Sequence, residues 1–167
     1  MRARDDVAVA TPDIAAPPTG THPGERLLRA ALIGTALFTL TSFAAVLARS
    51  LRGVAAVVAG ALFVLGILAF FGAYFRAVLR SREELLGIGG IYFLAGSAPR
   101  RVRTILLGSF SAQLIVAVVT ASLRPFTSLA FGMLVPMYGI GVSGLWGAFH
   151  GKYPERREQS ASLTADE

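Results

Sequence analysis

Val54–Phe75 reads VAAVVAGALFVLGILAFFGAYF, a run without one charged side chain. As a helix rising about 1.5 Å per residue, a run of this length covers a hydrocarbon core of about 30 Å. Lipid offers no water to bond exposed peptide groups, so a spanning segment must satisfy its own N–H and C=O groups, and a helix does. This stretch decides the fold class.

Three neighbouring runs share its character. They are Ala30–Ala48, Thr104–Leu123 and Phe126–Phe149, and no charge interrupts any of them. The whole chain has 167 residues, of which 54% are hydrophobic and 16% charged. Soluble domains carry about 25% charged residues, and a chain this short has too little interior to hide so much apolar surface. The expected fold is an all-α integral membrane protein with four transmembrane helices in a domain spanning 25–152. Arg49–Gly53 and Arg124–Pro125 are tight connections, which predicts two antiparallel hairpins. Residues 1–24, with Pro12, Pro17, Pro18 and Pro23, read as a disordered cytoplasmic tail, and residues 153–167 as a polar cytoplasmic tail. Val46-Leu47-Ala48 before Arg49 resembles a signal-peptide cleavage site. However, the run is long for such a peptide and a long polar segment precedes it, so a retained first helix is expected.

The connection between the second and third spans, 76–103, is long. It contains a fifth apolar run, Leu85–Ala98, which includes Gly87, Gly89, Gly90 and Gly96. As a helix it reaches only about 21 Å, which predicts an interfacial or re-entrant segment rather than a span. Ser97 and Pro99 read as the cap and first turn of the next helix. Gly87-Ile88-Gly89-Gly90 lacks the spacing and the Lys-Ser/Thr pair of a phosphate loop.

Charge sets the orientation. Arg2, Arg4, Arg26, Arg29, Arg76, Arg80, Arg82, Arg100, Arg101, Arg103, Lys152, Arg156 and Arg157 make 13 cations on one side, against Arg49, Arg52 and Arg124 on the other. The positive-inside bias places both termini and the central connection in the cytoplasm, with the chain in the cytoplasmic membrane. Tyr74, Tyr92, Trp146 and Tyr153 fall near that face, where amphipathic rings favour the interface. Nearly every cation is arginine, as GC-rich bacterial coding would give. The net charge of +6 points to lipid rather than nucleic acid, because no soluble basic module is present.

The chemistry of the spans is mostly negative. All ten acids lie outside them, and the histidines are His22 and His150. Proton-coupled transport generally needs an intramembrane carboxylate or histidine, a di-metal bundle needs carboxylates, and a Ser or Thr nucleophile needs a base. No catalytic residue, cofactor or metal ligand is expected, and with no cysteine there is no disulfide or thiolate site.

Three features remain. On the fourth helix Gly139, Ser143, Gly147 and Gly151 recur every four residues, a smooth stripe of the kind that lets lipid-embedded helices approach closely. It suits a homodimer seam or packing within the chain, the second being the leading reading because four helices in one chain already need such contacts. Thr39, Gln113 and Tyr138 sit near the midplane, and Pro136 deprives the Gly132 carbonyl of its usual helical partner. They read chiefly as hydrogen-bonded glue beside a kink and, secondarily, as the lining of a polar pathway. Arg76, Arg80, Arg82, Arg100, Arg101 and Arg103 offer a contact for anionic lipid head groups, although topology alone accounts for them.

A weak self-similarity relates Arg29–Thr35 to Arg103–Ser109, and Gly60, Leu62 and Gly72 to Gly132, Leu134 and Gly144. It would imply a two-helix repeat about an axis along the membrane normal, with coincidence among common residues the favoured account. Taken together, the expected function is that of a non-enzymatic accessory or scaffold protein of the cytoplasmic membrane, with the lipid bilayer and a homodimer mate or partner membrane protein as its contacts. The alternative is a small dimeric transporter or channel built on the midplane polar set.

Overall fold

The structure, a computed structural model, describes residues 24–81 and 87–153. The tails expected at 1–24 and 153–167, apart from Gly24 and Tyr153, lie outside the described residues, as does Arg82. The described chain is all helical. Its α-helices are α1 (Glu25–Leu47), α2 (Arg52–Arg80), α3 (Ile88–Tyr92), α4 (Arg100–Leu123) and α5 (Pro136–His150). Two 3₁₀ stretches, Arg49–Leu51 and Ser128–Leu134, lead into α2 and α5. Four helical stretches, Glu25–Leu47, Arg49–Arg80, Arg100–Leu123 and Ser128–His150, are long and apolar enough to cross a membrane.

Packing inverts the pattern of a water-soluble bundle. Small side chains, among them Ala31, Ala45, Ala55, Ala59, Ala73, Ala77, Ala117 and Ala148, share the interior with Phe38, Leu62, Leu106 and Trp146, while Ile33, Leu40, Val57, Leu68 and Ile115 stand on the outside. Lipid tails solvate large apolar side chains as well as a core does, so helices associate where small residues let backbones approach.

Two parallel pairs organise the bundle. Along α2 and the fourth stretch, Arg52 meets Ser128, Gly66 meets Tyr138 and Arg80 meets Ala148, so both chains advance together. Gly66 has no room for a side chain: a Cβ there would lie 2.5 Å from the Tyr138 nitrogen. Along α1 and α4, Thr35 bonds Gln113, and Glu25 and Leu28 face Arg101 and Val102. The fourth stretch is the centrepiece, with 50% of its apolar window buried against 22–28% for the other three. Small residues on more than one of its faces explain this: Gly139 and Gly147 admit Phe110 and Ile91, while Gly141 admits Gly66 of α2.

Across the bundle α1 touches α5, whereas α2 and α4 have almost no contact. An axis exchanging the two halves would make those contacts equal, so the weak self-similarity does not carry into a two-fold arrangement.

Pro136 breaks the fourth stretch. It cannot donate to Gly132, and the carbonyl instead accepts from the Val135 N–H at 3.1 Å, three residues on. The preceding residues, Ser128–Leu134, tighten into 3₁₀ geometry, longer than the usual run of three or four. The Gly132 carbonyl thus loses its usual helical partner, as the sequence implies, and is satisfied by a tighter bond within a stretch that changes helix type. Phe126, expected to open the span, lies in the turn instead, with a positive φ of 59°.

The segment 85–98 is described from Gly87. It forms the single short helix α3 and a loop in which Leu94 and Gly96 take φ of 55° and 73°. Ser97 does not cap α4. Its hydroxyl donates to the Gly90 carbonyl at 2.6 Å, and Pro99 takes the N-cap position with no side-chain cap. Ile91 and Tyr92 are buried against α2 and α5, and the Tyr92 hydroxyl donates to the Phe70 carbonyl at 3.2 Å. Burial, and secondarily the neighbouring Tyr74, push the Tyr92 phenol above its usual pKa.

Candidate functional site

Two places concentrate polar groups. The first is the centre of the bundle. Gln113 is completely buried. Its Nε2 donates to Thr35 Oγ1 at 2.8 Å, and its Oε1 accepts from the Gly139 N–H at 3.1 Å. That N–H belongs to the first turn of α5, where the Val135 carbonyl is already taken by Tyr138 N–H at 2.8 Å. Gln113 thus supplies from α4 the acceptor that the start of α5 needs. Thr35 in turn donates to the Ala31 carbonyl at 2.8 Å.

Of the midplane set, Tyr138 joins α1 by another route, donating to the Ala30 carbonyl at 2.7 Å. Thr39, half-buried, lies one turn beyond Thr35 and is not the partner of Gln113. Sequence reasoning missed Thr35 because both threonines lie on one face of α1, and only the relative height of α1 and α4 selects between them.

The stripe faces inward over its whole length, with Gly139, Ser143, Gly147 and Gly151 all buried. A Cβ at Gly139 would sit 3.0 Å from the Phe110 Cα. One at Gly147 would strike the Ile91 carbonyl, and one at Gly151 would meet the Tyr153 ring. Ser143 returns its hydroxyl to the Gly139 carbonyl at 2.9 Å. The stripe therefore serves α3, α4 and the residues following α5.

The second place is a cleft of about 580 Å³ at the end of the bundle where α1 and α4 begin and α5 ends. Leu28, Ala98, Pro99, Val102 and Trp146 give it an apolar wall, and Arg101, Lys152, His150 and Glu25 supply charge and polarity. Trp146 and His150, four residues apart on α5, stack with ring centroids 5.6 Å apart. Trp146 is 4% exposed, and neither its Nε1 nor the buried Nδ1 of His150 has a hydrogen-bond partner. Gly24 makes this packing possible. It adopts φ 84°, its carbonyl receives the N–H groups of Leu27 and Leu28, and a Cβ on it would collide with the Trp146 indole. Glu25 is paired with Arg29 at 2.7 Å. The i, i+4 spacing of Trp146 and His150 was legible in the sequence, but their convergence with Arg101 and Lys152 was not.

Among the described residues, the central arginines make separate contacts. Arg80 closes the end of α5, donating to the Ala148 carbonyl at 2.8 Å and the Gly151 carbonyl at 3.3 Å, with its guanidinium 5.4 Å from the Tyr153 ring centre. This placement satisfies carbonyls at the negative end of a helix. Arg76 lies over the Phe149 ring at 5.4 Å. Arg100, Arg101 and Arg103 are exposed at the start of α4, and of these Arg101 reaches the cleft. Among the described residues, no group of three or more His, Cys, Asp or Glu is placed to hold a metal ion.

No family model, curated protein or solved structure matches the chain.

Proposed function

We propose that this is a non-enzymatic, multi-pass accessory or scaffold protein of the cytoplasmic membrane, with both termini and the central connection on the cytoplasmic side. Its four spans form two antiparallel hairpins, and residues 85–98 lie at the cytoplasmic interface without crossing. The observation that carries this reading is that Gln113 and Tyr138 at the bundle centre turn to other helices rather than to open space. Among the described residues, the buried Ser109 hydroxyl, one turn along α4 from Gln113, is the one central group without a partner. Gln113 bonds Thr35 and the Gly139 N–H, and Tyr138 bonds the Ala30 carbonyl. A conducting path needs polar groups turned toward water. The cation split supports the orientation.

The sequence contains no cysteine, so single-cysteine labelling is direct. Ala117 is fully buried one turn from Gln113. In sealed vesicles, Ala117→Cys should resist a membrane-impermeant maleimide from both sides, while Lys152→Cys labels from the cytoplasmic side alone. Phosphatase and fluorescent-protein fusions after Arg52 and after Glu158 should report opposite sides. Rapid labelling of Ala117→Cys would favour the alternative, a dimeric transporter or channel, and an external C-terminus would overturn the topology.

A further inference from the structure

We propose that the Trp146 cleft is a binding site for an anionic phospholipid, taking its phosphate and the first part of its chains. The inference rests on the membrane reading above but goes beyond the general basic character of the central connection, because it names a built site and its residues.

The cleft has the two halves that such a ligand needs. Leu28, Ala98, Pro99, Val102 and the Trp146 ring form an apolar wall, while Arg101 and Lys152 bring cations to the same space. Its volume of about 580 Å³ is that of a site for a drug-sized ligand rather than a small inorganic ion. Trp146 Nε1 is a buried donor without an acceptor. Such a group is destabilising unless something accepts from it; Gly24 packs against this atom, and a phosphate oxygen reaches it by displacing that contact. The first turn of α4 also lines the cleft and has no side-chain cap. Its leading N–H groups lack partners within the helix and favour negative charge. His150 stacks on the indole and adds a second unpartnered buried atom, Nδ1. The one acid on the wall, Glu25, is matched by Arg29.

Position selects the source of the phosphate. Glu25 opens α1, Arg100 opens α4 and His150 closes α5, so the cleft lies where the apolar spans end. That is the depth of lipid head groups and of interfacial tryptophan. A free phosphate would leave the apolar wall uncovered, whereas a phospholipid covers it with its own chains.

The test uses the full chain purified in a neutral detergent, with short-chain phosphatidylglycerol, short-chain phosphatidylcholine and inorganic phosphate as probes. Phosphatidylglycerol at a hundredfold excess over its Kd should raise the melting temperature by about 5–10 °C. Phosphatidylcholine and phosphate should do far less. Arg101→Gln and Lys152→Gln, both at exposed positions, should each weaken phosphatidylglycerol binding about fivefold. Trp146→Phe keeps the ring, removes the donor and should weaken it comparably. Native mass spectrometry should detect bound phosphatidylglycerol on the parent and less on the Arg101→Gln, Lys152→Gln double variant. Equal stabilisation by phosphate alone would show a simple anion site and overturn the lipid assignment. Binding that the three variants leave unchanged would place the lipid elsewhere. If phosphatidylglycerol fails to bind while the fusion topology holds, the cleft proposal falls and the membrane reading stands.

Discussion

Replacing Gln113 with methionine tests whether the central hydrogen bonds hold α1, α4 and α5 in register. Methionine has a similar length and no strong hydrogen-bonding group. The change deletes the 2.8 Å bond to Thr35 and the 3.1 Å bond from Gly139. The two losses are unequal. Thr35 keeps its bond to the Ala31 carbonyl, so that arm should cost near the average of about 0.6 kcal/mol found for interhelical bonds in lipid. The Gly139 N–H makes no second bond, since the Val135 carbonyl accepts from the Tyr138 N–H and not from it. Leaving a buried donor unmade costs about 1–3 kcal/mol. The expected total for Gln113→Met is therefore about 2 kcal/mol, most of it from the α5 arm. Equilibrium unfolding in mixed micelles of a mild detergent and dodecyl sulfate measures it. Thr35→Val alone leaves the buried Gln113 Nε2 donor without its acceptor and should also cost about 1–3 kcal/mol, and the double variant should show coupling of about 0.6 kcal/mol. The reasoning is refuted if Gln113→Met is as stable as the parent, or if the two changes are strictly additive.

Other positions make sharper contrasts. Gly66→Ala should lower stability by about 1–3 kcal/mol, because its Cβ would press on Tyr138 backbone, whereas Gly60→Ala, with nothing within 4 Å, should be neutral or stabilising; thermal melting of the pair decides. Arg80→Gln should destabilise by about 1–2 kcal/mol through the lost closure of α5, and hydrogen exchange should quicken at the amides near Ala148 and Gly151 in the same variant. The raised Tyr92 pKa means the folded state favours the neutral phenol. Its contribution is intact below the unfolded value of 10.0 and is lost as pH rises through the higher folded value. Tyr92→Phe should accordingly flatten the alkaline end of the stability profile.

Four apolar runs and the need to satisfy every peptide group in lipid are properties of the chain alone, and they made an all-helical architecture with four long apolar helices legible before any coordinate. The stripe from Gly139 to Gly151 was legible too, because small residues every four positions lie on one helical face in any context. What they touch was not. Whether Gly147 meets a second molecule or the Ile91 carbonyl depends on where the connection between α2 and α4 comes to rest, and no local periodicity encodes that. Pro136 announced a missing donor, but only the fold showed the Val135 N–H supplying it and Gln113 serving the next orphan along. Thr35 and Thr39 are equivalent by sequence, and the relative height of two parallel helices separated them. The same holds for the cleft. Trp146, His150, Arg101, Lys152 and Glu25 belong to three helix ends and a terminal segment, and their meeting is a consequence of how α1, α4 and α5 pack.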